Sequence, residues 1–236
     1  MTDWTKIYYF SLFVIFWYFV AINFVNTVIL TLGIFKVKRR ENEVSLEDCT
    51  SILHSESLPK ITFILPAYNE SRSIIASIES LLHLTYRYKE IIIINDGSTD
   101  ETLEVLKNFL DLVSIPQYFE PHLPTQRIRG VYQSEKYKEI FVIDKENGKK
   151  FDALNAGINA CETQFFFTID ADTGIDGPSF EKIVRPIFSH PNLIALGATV
   201  RVLNGCTLEF NRITTLNFPQ RYIPAMQSLE YLRAFI

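Results

Sequence analysis

The chain has 236 residues, 47% hydrophobic and 14% aromatic, with 23 Lys and Arg against 27 Asp and Glu for a formal net charge of -4. A composition this apolar excludes a disordered or fibrous chain and suffices for one sizeable core. The acidic balance argues against a general nucleic-acid binder, which carries a basic surface, and Cys49, Cys161 and Cys206 are too far apart for a CxxC pair or a zinc spacing, as expected of reduced thiols.

Residues 7–35, "IYYFSLFVIFWYFVAINFVNTVILTLGIF", contain no charged side chain. A helix that crosses a bilayer needs about 20 apolar residues, whereas the apolar part of a signal peptide is only about 7 to 15 long, so this stretch predicts a transmembrane helix. Asn23 and Asn26, three apart on one helical face, are polar interruptions placed to meet another helix. "KVKRR" follows at 36–40, against Lys6 alone before the span, and the positive-inside bias puts everything downstream in the cytoplasm, on an inner or plasma membrane. Residues 41–58 are acidic and polar without clear periodicity, so 36–58 reads as a cytoplasmic linker and 59–236 as the folded domain.

From Pro59 the pattern alternates. "KITFIL" predicts a strand, and "ESRSIIASIESLLHL" a helix with Ile74, Ile75, Ile78, Leu81 and Leu82 on one face; "EIIIIND" is a second buried strand, followed by a helix through "DETLEVLKNFLDLV" with Asp100 as N-cap. Residues 115–129 carry three prolines and no period, and read as a loop. "EIFVID" is a third strand, "FDALNAGINAC" a helix, and "QFFFTID" a fourth strand, whose apolar run Phe165–Ile169 predicts burial on both faces; a helix from Pro178 follows. Near the end, Met226, Leu229, Leu232 and Phe235 form a stripe at spacing three, suited to a core-packing helix or one lying on a bilayer. Alternation of this kind implies right-handed crossovers and a mostly parallel sheet with flanking helices, an α/β fold.

Ligands of such sheets bind beyond the carboxyl ends of the strands. There the sequence places "PAYNE" (66–70), "NDGSTD" (95–100) and "DAD" (170–172), three acidic clusters on one edge. In extended chain Asp170 and Asp172 would point the same way with Cα atoms roughly 6.5 Å apart, from a rise near 3.3 Å per residue. A divalent cation, or a cation and a ribose, can bridge that gap, and oxygen ligands suit Mg2+ or Mn2+ shared with phosphate oxygens. The chain has no GxGxxG after the first strand and no GxxxxGK[ST], and His54, His83, His122 and His190 sit outside any GxSxG context, so dinucleotide, P-loop and serine-hydrolase readings lack support. A nucleotidyltransferase would show a Gly-rich loop and lysine where "PAYNES" stands.

The motifs "PAYNES", "INDGSTDET", "DKENGKKFDALNAGI" and "TIDADT", in this order over about residues 60–205, resemble the family 2 glycosyltransferases of GT-A fold. The resemblance is to the membrane-bound branch of cellulose, hyaluronan and poly-N-acetylglucosamine synthases. It implies an inverting enzyme that moves a sugar from a nucleotide sugar, a UDP-sugar, to a growing polysaccharide or glycan. By the same resemblance Ala67, Tyr68 and Glu70 border the base and ribose, Asp96 hydrogen-bonds the base, and Lys150, with Lys149 as the competing choice, contacts the diphosphate. Asp172 would bind the metal, Asp170 the metal or the ribose, Asp152 and Asn155 would shape the pocket, and Asn69 would organise its loop. The family's acceptor base, within TED or GED, and its QxxRW motif are absent here; Glu209 and Glu230 lack that context, which leaves the catalytic base unassigned. The chain is therefore expected to be part of a longer synthase, or else a membrane-tethered donor-binding or regulatory fragment without transfer activity.

Overall fold

The computed structural model describes residues 3–45, 58–175, 180, 183–187, 190, 192–198, 200, 202–209, 212–215 and 217–235. The residues 46–57 of the expected linker and the expected helix start at Pro178 lie outside them.

The chain groups into two compact units. One comprises residues 1–48, 197–207 and 216–236 and holds two helices, α1 (Asp3–Ser45) and one near the end of the chain. Within α1, Trp4–Gly33 is long and apolar enough to cross a membrane, with none of its most apolar stretch buried in the protein. The helix continues through the basic cluster to Ser45. Polar side chains of the span satisfy themselves on the preceding turn: Asn23 Nδ2 donates to Phe19 O at 2.8 Å, Thr27 Oγ1 to Asn23 O at 2.8 Å and Thr31 Oγ1 to Thr27 O at 2.7 Å.

The other unit is built on a six-stranded mixed sheet with helices against it. Its elements are β1 (Ile61–Ala67), α2 (Ile74–Leu82), β2 (Lys89–Asp96), α3 (Thr102–Leu110), β3 (Leu112–Ile115), β4 (Ile128–Ser134), β5 (Ile140–Lys145), α4 (Lys149–Ala160) and β6 (Phe165–Thr168). The sheet order is β3-β4-β5-β2-β1-β6. β6, β1, β2 and β5 run parallel, while β4 is antiparallel to both β5 and β3. A separate two-stranded pair, β7 (Thr207–Glu209) and β8 (Arg212–Thr215), comes later, and the helix of the first unit is α5 (Tyr222–Phe235).

The central strands are buried on both faces, as their unbroken apolar runs predict. Alternate residues feed two cores. On one side Phe63, Leu65, Ile91 and Ile93 meet Ile74, Ile78 and Leu81 of α2 and Leu106 and Leu110 of α3. On the other, Ile64, Ile92, Ile94 and Ile143 meet Ala153, Ala156 and Ala160 of α4. The small residues on α4 let it approach closely: a Cβ on Gly157 would lie 2.4 Å from Ile64 Cγ2.

Three expectations are corrected. The helix from Asp100 does not reach Val113: Asp111 turns into the left-handed region at φ 49, and Leu112 and Val113 belong to β3. The loop expected over 115–129 gives way to β3 at Ile115 and β4 from Ile128. Both strands are short and mixed in burial, so they carry neither a continuous apolar run nor clean alternation. Finally, β6 is not buried on both faces. It lies at the end of the sheet, Phe165 and Phe167 turned inward and Phe166 48% exposed. The aromatic cluster it joins contains Phe63, Phe167 and Phe180, with ring centroids 5.2 to 5.9 Å apart.

Candidate functional site

A cleft of about 460 Å3 opens at the carboxyl ends of β1, β2 and β6. Its walls are Pro66 and Ala67 at the end of β1 with Tyr68 and Glu70 after it, Asp96 at the end of β2, Asn147, Lys149, Lys150 and Ala153 around the start of α4, and Asp170, Ala171 and Asp172 after β6. Parallel strands deliver their carboxyl ends to one edge, which is why segments about a hundred residues apart in sequence meet here.

The seven residues assigned to the nucleotide sugar or the metal, Ala67, Tyr68, Glu70, Asp96, Lys150, Asp170 and Asp172, line this cleft, and so does the competing Lys149. Asp152 and Asn155 do not. Asp152 accepts the backbone N–H of Gln126 at 2.9 Å, and Asn155 Nδ2 donates to Pro124 O at 3.0 Å, so they hold the segment before β4 against α4.

The first wall is braced through Asn69. Its backbone takes a left-handed conformation, φ 58, which Asn tolerates better than most residues. Its Oδ1 accepts from Thr99 N at 2.8 Å and Asp100 N at 3.3 Å, and its N–H donates to Ser98 Oγ at 3.0 Å. The loop after β1 is thereby tied to the loop after β2. Glu70 turns its carboxylate onto Ser73 Oγ and donates its N–H to Thr102 Oγ1 at 2.9 Å. The expected N-cap is displaced by one residue: Glu101 is the N-cap of α3 and makes no side-chain cap bond, while Asp100 just before it accepts Thr102 N at 3.0 Å. Burial pushes the Asp100 carboxyl up, but hydrogen bonds from Thr102 and Ser71 outweigh it and bring the pKa down to about 2.

The aspartates after β6 are arranged differently from the extended geometry expected. β6 ends at Thr168, and Thr173 N–H closes a turn onto Asp170 O at 2.9 Å. The intervening Ala171 is buried, its carbonyl accepting Ser77 Oγ of α2 at 2.7 Å. This pins the turn and leaves Asp170 and Asp172 exposed at the rim. Lys150 Nζ pairs with Asp170 Oδ1 at 2.5 Å. Among the described residues no group of three or more His, Cys, Asp or Glu side chains converges on one point. Two rim carboxylates therefore fit a cation only where a phosphate-bearing ligand and water complete its oxygen shell.

One residue behind the cleft wall escapes sequence reasoning: Lys145, the buried partner of Asp96. Its side chain is 0% exposed, and its Nζ lies 2.7 Å from Asp96 Oδ1, donates to Glu146 O at 2.6 Å and pairs with Asp152. Gly148 N also donates to Asp96 Oδ1, at 3.0 Å. A lysine at a strand end beside Glu146 and Asn147 reads as a solvated loop residue, and only the burial of its partners could have distinguished it.

An α/β sheet with a carboxylate- and lysine-lined cleft beyond the parallel strand ends defines a class of small-ligand-binding enzyme folds. Residues 62–233 match the model of "Glycosyl transferase family 2", and the chain belongs to that family. Among its curated relatives are poly-beta-1,6-N-acetyl-D-glucosamine synthases. That of Staphylococcus epidermidis is 30% identical over 159 residues, 67% of this chain and 32% of the relative. That of Staphylococcus aureus strain COL is 29% identical over 167 residues, 70% of this chain and 34% of the relative. The chain thus spans about a third of the length of these synthases. Similar solved structures include the mannosyltransferase PcManGT from Pyrobaculum calidifontis in complex with GDP-Man and Mn2+ (17% identity, 55% of this chain and 32% of that one, TM-score 0.43). Another is S. aureus TarS 1-349 in complex with UDP-GlcNAc (17% identity, 59% and 37%, TM-score 0.42).

Proposed function

We propose that this chain is the donor-binding part of a membrane-anchored, inverting glycosyltransferase that uses a UDP-sugar and a divalent cation to extend a glycan. The family match over 62–233 carries the reading; the cleft supplies groups of the right chemistry for each part of a nucleotide sugar. Tyr68, Ala67 and Glu70 form a wall for base and ribose, and Asp96 an acceptor for the base. Lys150 meets the diphosphate, and Asp172 with Asp170 holds Mg2+ or Mn2+. When bound, the cation supplies charge stabilisation for the departing diphosphate, the largest electrostatic demand of such a transfer. Lys150 adds to it by leaving Asp170 for a phosphate oxygen. The curated relatives named as synthases support a polysaccharide acceptor, and Trp4–Gly33 serves as the anchor with the cleft on the cytoplasmic side.

Calorimetric titration of UDP with and without Mg2+ or Mn2+ tests this. Wild type is expected to bind UDP more tightly with the metal, and Asp172→Asn to lose most of that metal-dependent gain. Unchanged metal-dependent UDP affinity in Asp172→Asn would sink the proposal.

A further inference from the structure

We propose that Lys149 is a second phosphate-binding residue of the cleft, acting beside Lys150 and not in its place, and that it holds its ammonium there at a left-handed backbone position that costs stability. The inference rests on the nucleotide reading above.

Among the described residues three that are not glycine adopt a left-handed backbone: Asn69 at φ 58, Asp111 at φ 49 and Lys149 at φ 70. Asn and Asp are the types that tolerate this region, because their short polar side chains bond locally. Lysine has no such compensation, and glycine is the default where the chain must turn this way. The conformation is imposed from outside Lys149. Gly148 N–H donates to Asp96 Oδ1 at 3.0 Å, Asn147 Nδ2 donates to Asp96 O at 2.8 Å, and a Cβ on Gly148 would lie 2.3 Å from Asp152 Oδ1. These contacts fix the turn that leads into α4, so position 149 is left-handed whatever residue stands there. A lysine kept in such a place is a sign of function, since backbone strain of this kind collects at ligand sites.

Its surroundings indicate the ligand. Lys149 is exposed and lines the cleft. The other lysine of the cleft wall, Lys150, is paired with Asp170, and Asp96 is paired with Lys145. Glu70 accepts from Ser73 Oγ. Among the described residues no carboxylate pairs with Lys149. An exposed lysine without a partner is ordinary on a convex surface. On a cleft wall, at a strained position, it is a cation held for an anion from outside the chain. A diphosphate carries several charged oxygens and can take both lysines. Lys150 reaches one only by giving up Asp170, whereas Lys149 gives up only water, so Lys149 supplies attraction that the free protein does not already spend.

The experiment compares the full chain as wild type, Lys149→Gly, Lys149→Ala and Lys149→Arg, by UDP titration at fixed Mg2+ and by thermal melting. Lys149→Gly and Lys149→Ala both remove the ammonium, and each is expected to weaken UDP binding about tenfold. Only glycine relieves the backbone, so Lys149→Gly should also raise the melting temperature by about 2 to 4 °C, while Lys149→Ala melts near wild type. Lys149→Arg keeps the charge and should bind UDP nearly as wild type does. Wild-type affinity in Lys149→Gly and Lys149→Ala overturns the inference, and so does Lys149→Arg that loses as much affinity as Lys149→Ala. An affinity loss in Lys149→Gly that Lys149→Ala does not share assigns the effect to backbone freedom and overturns it too, as does Lys149→Gly that melts below wild type. A wild type that does not bind UDP overturns the nucleotide reading and this inference with it; a wild type that binds UDP, with the variants unchanged, overturns this inference only.

Discussion

Lys150 Nζ and Asp170 Oδ1 meet at 2.5 Å across the mouth of the cleft, from the first turn of α4 and the turn after β6, and each side chain is more than half exposed (57% and 54%). A pair so exposed contributes little to stability, about 0 to 1 kcal/mol. Lys150→Ala is therefore expected to leave the denaturation midpoint almost unchanged while weakening UDP binding about tenfold, the loss of one charge-assisted contact of roughly 1.5 kcal/mol. Parallel urea unfolding and nucleotide titration separate the two effects. A large fall in stability with unaltered affinity would contradict the placement of Lys150 at the ligand.

Gly157 offers a test in which two principles predict opposite signs. In an ordinary helix interior Gly→Ala stabilises by up to about 1 kcal/mol. Here the new methyl would sit 2.4 Å from Ile64 Cγ2 and 3.0 Å from Ile94 Cδ1, and both isoleucines are fully buried. Overpacking costs about 1 to 3 kcal/mol, so Gly157→Ala should destabilise. Chemical denaturation gives the sign directly.

Asp100 has a pH signature. Its folded-state pKa of about 2 lies below the usual carboxylate value near 3.9, so the stability it contributes is present above pH 4 and is lost as pH falls toward 2. The group is largely exposed, which argues for the modest end of the range, about 1 kcal/mol for the lost hydrogen bonds from Thr102 and Ser71. Asp100→Ala should lower stability by that amount at pH 7 and by progressively less toward pH 2. Unfolding free energies measured at several pH values would show the two curves converging in acid.

The tie between Asn69 and the loop at Thr99 and Asp100 predicts a coupled loss. Asn69→Ala removes the acceptor for two backbone N–H groups and leaves a residue without local hydrogen bonding at φ 58. The expected cost is about 1 to 3 kcal/mol. Because Tyr68 and Glu70 flank the substituted residue in the cleft wall, UDP affinity should fall together with the melting temperature, unlike the pattern for Lys150→Ala.

Sequence alone determined much of this protein. The continuous Ile run in β2 and the helical stripe of α2 each report burial of their own segment, and a mostly parallel sheet follows from the alternation of strands and helices. The carboxyl ends of such strands share an edge, so Ala67, Tyr68, Glu70, Asp96, Asp170 and Asp172 were legible as neighbours from the chain itself, and Lys150 only through the family resemblance. The tertiary structure decided what depends on distant partners. β3 and β4 are strands because they pair with one another and with β5, a property their own mixed side chains do not announce. "FFFT" is three phenylalanines and a threonine yet half exposed, since its position at the end of the sheet, not its composition, sets what covers it. Asp170 and Asp172 occupy a turn because Ser77 of α2 captures the carbonyl of Ala171 between them. Lys145 has the sequence context of a surface loop and becomes the buried partner of Asp96 and Asp152 only when β2, β5 and α4 close around it, where an ammonium removed from water must find carboxylates.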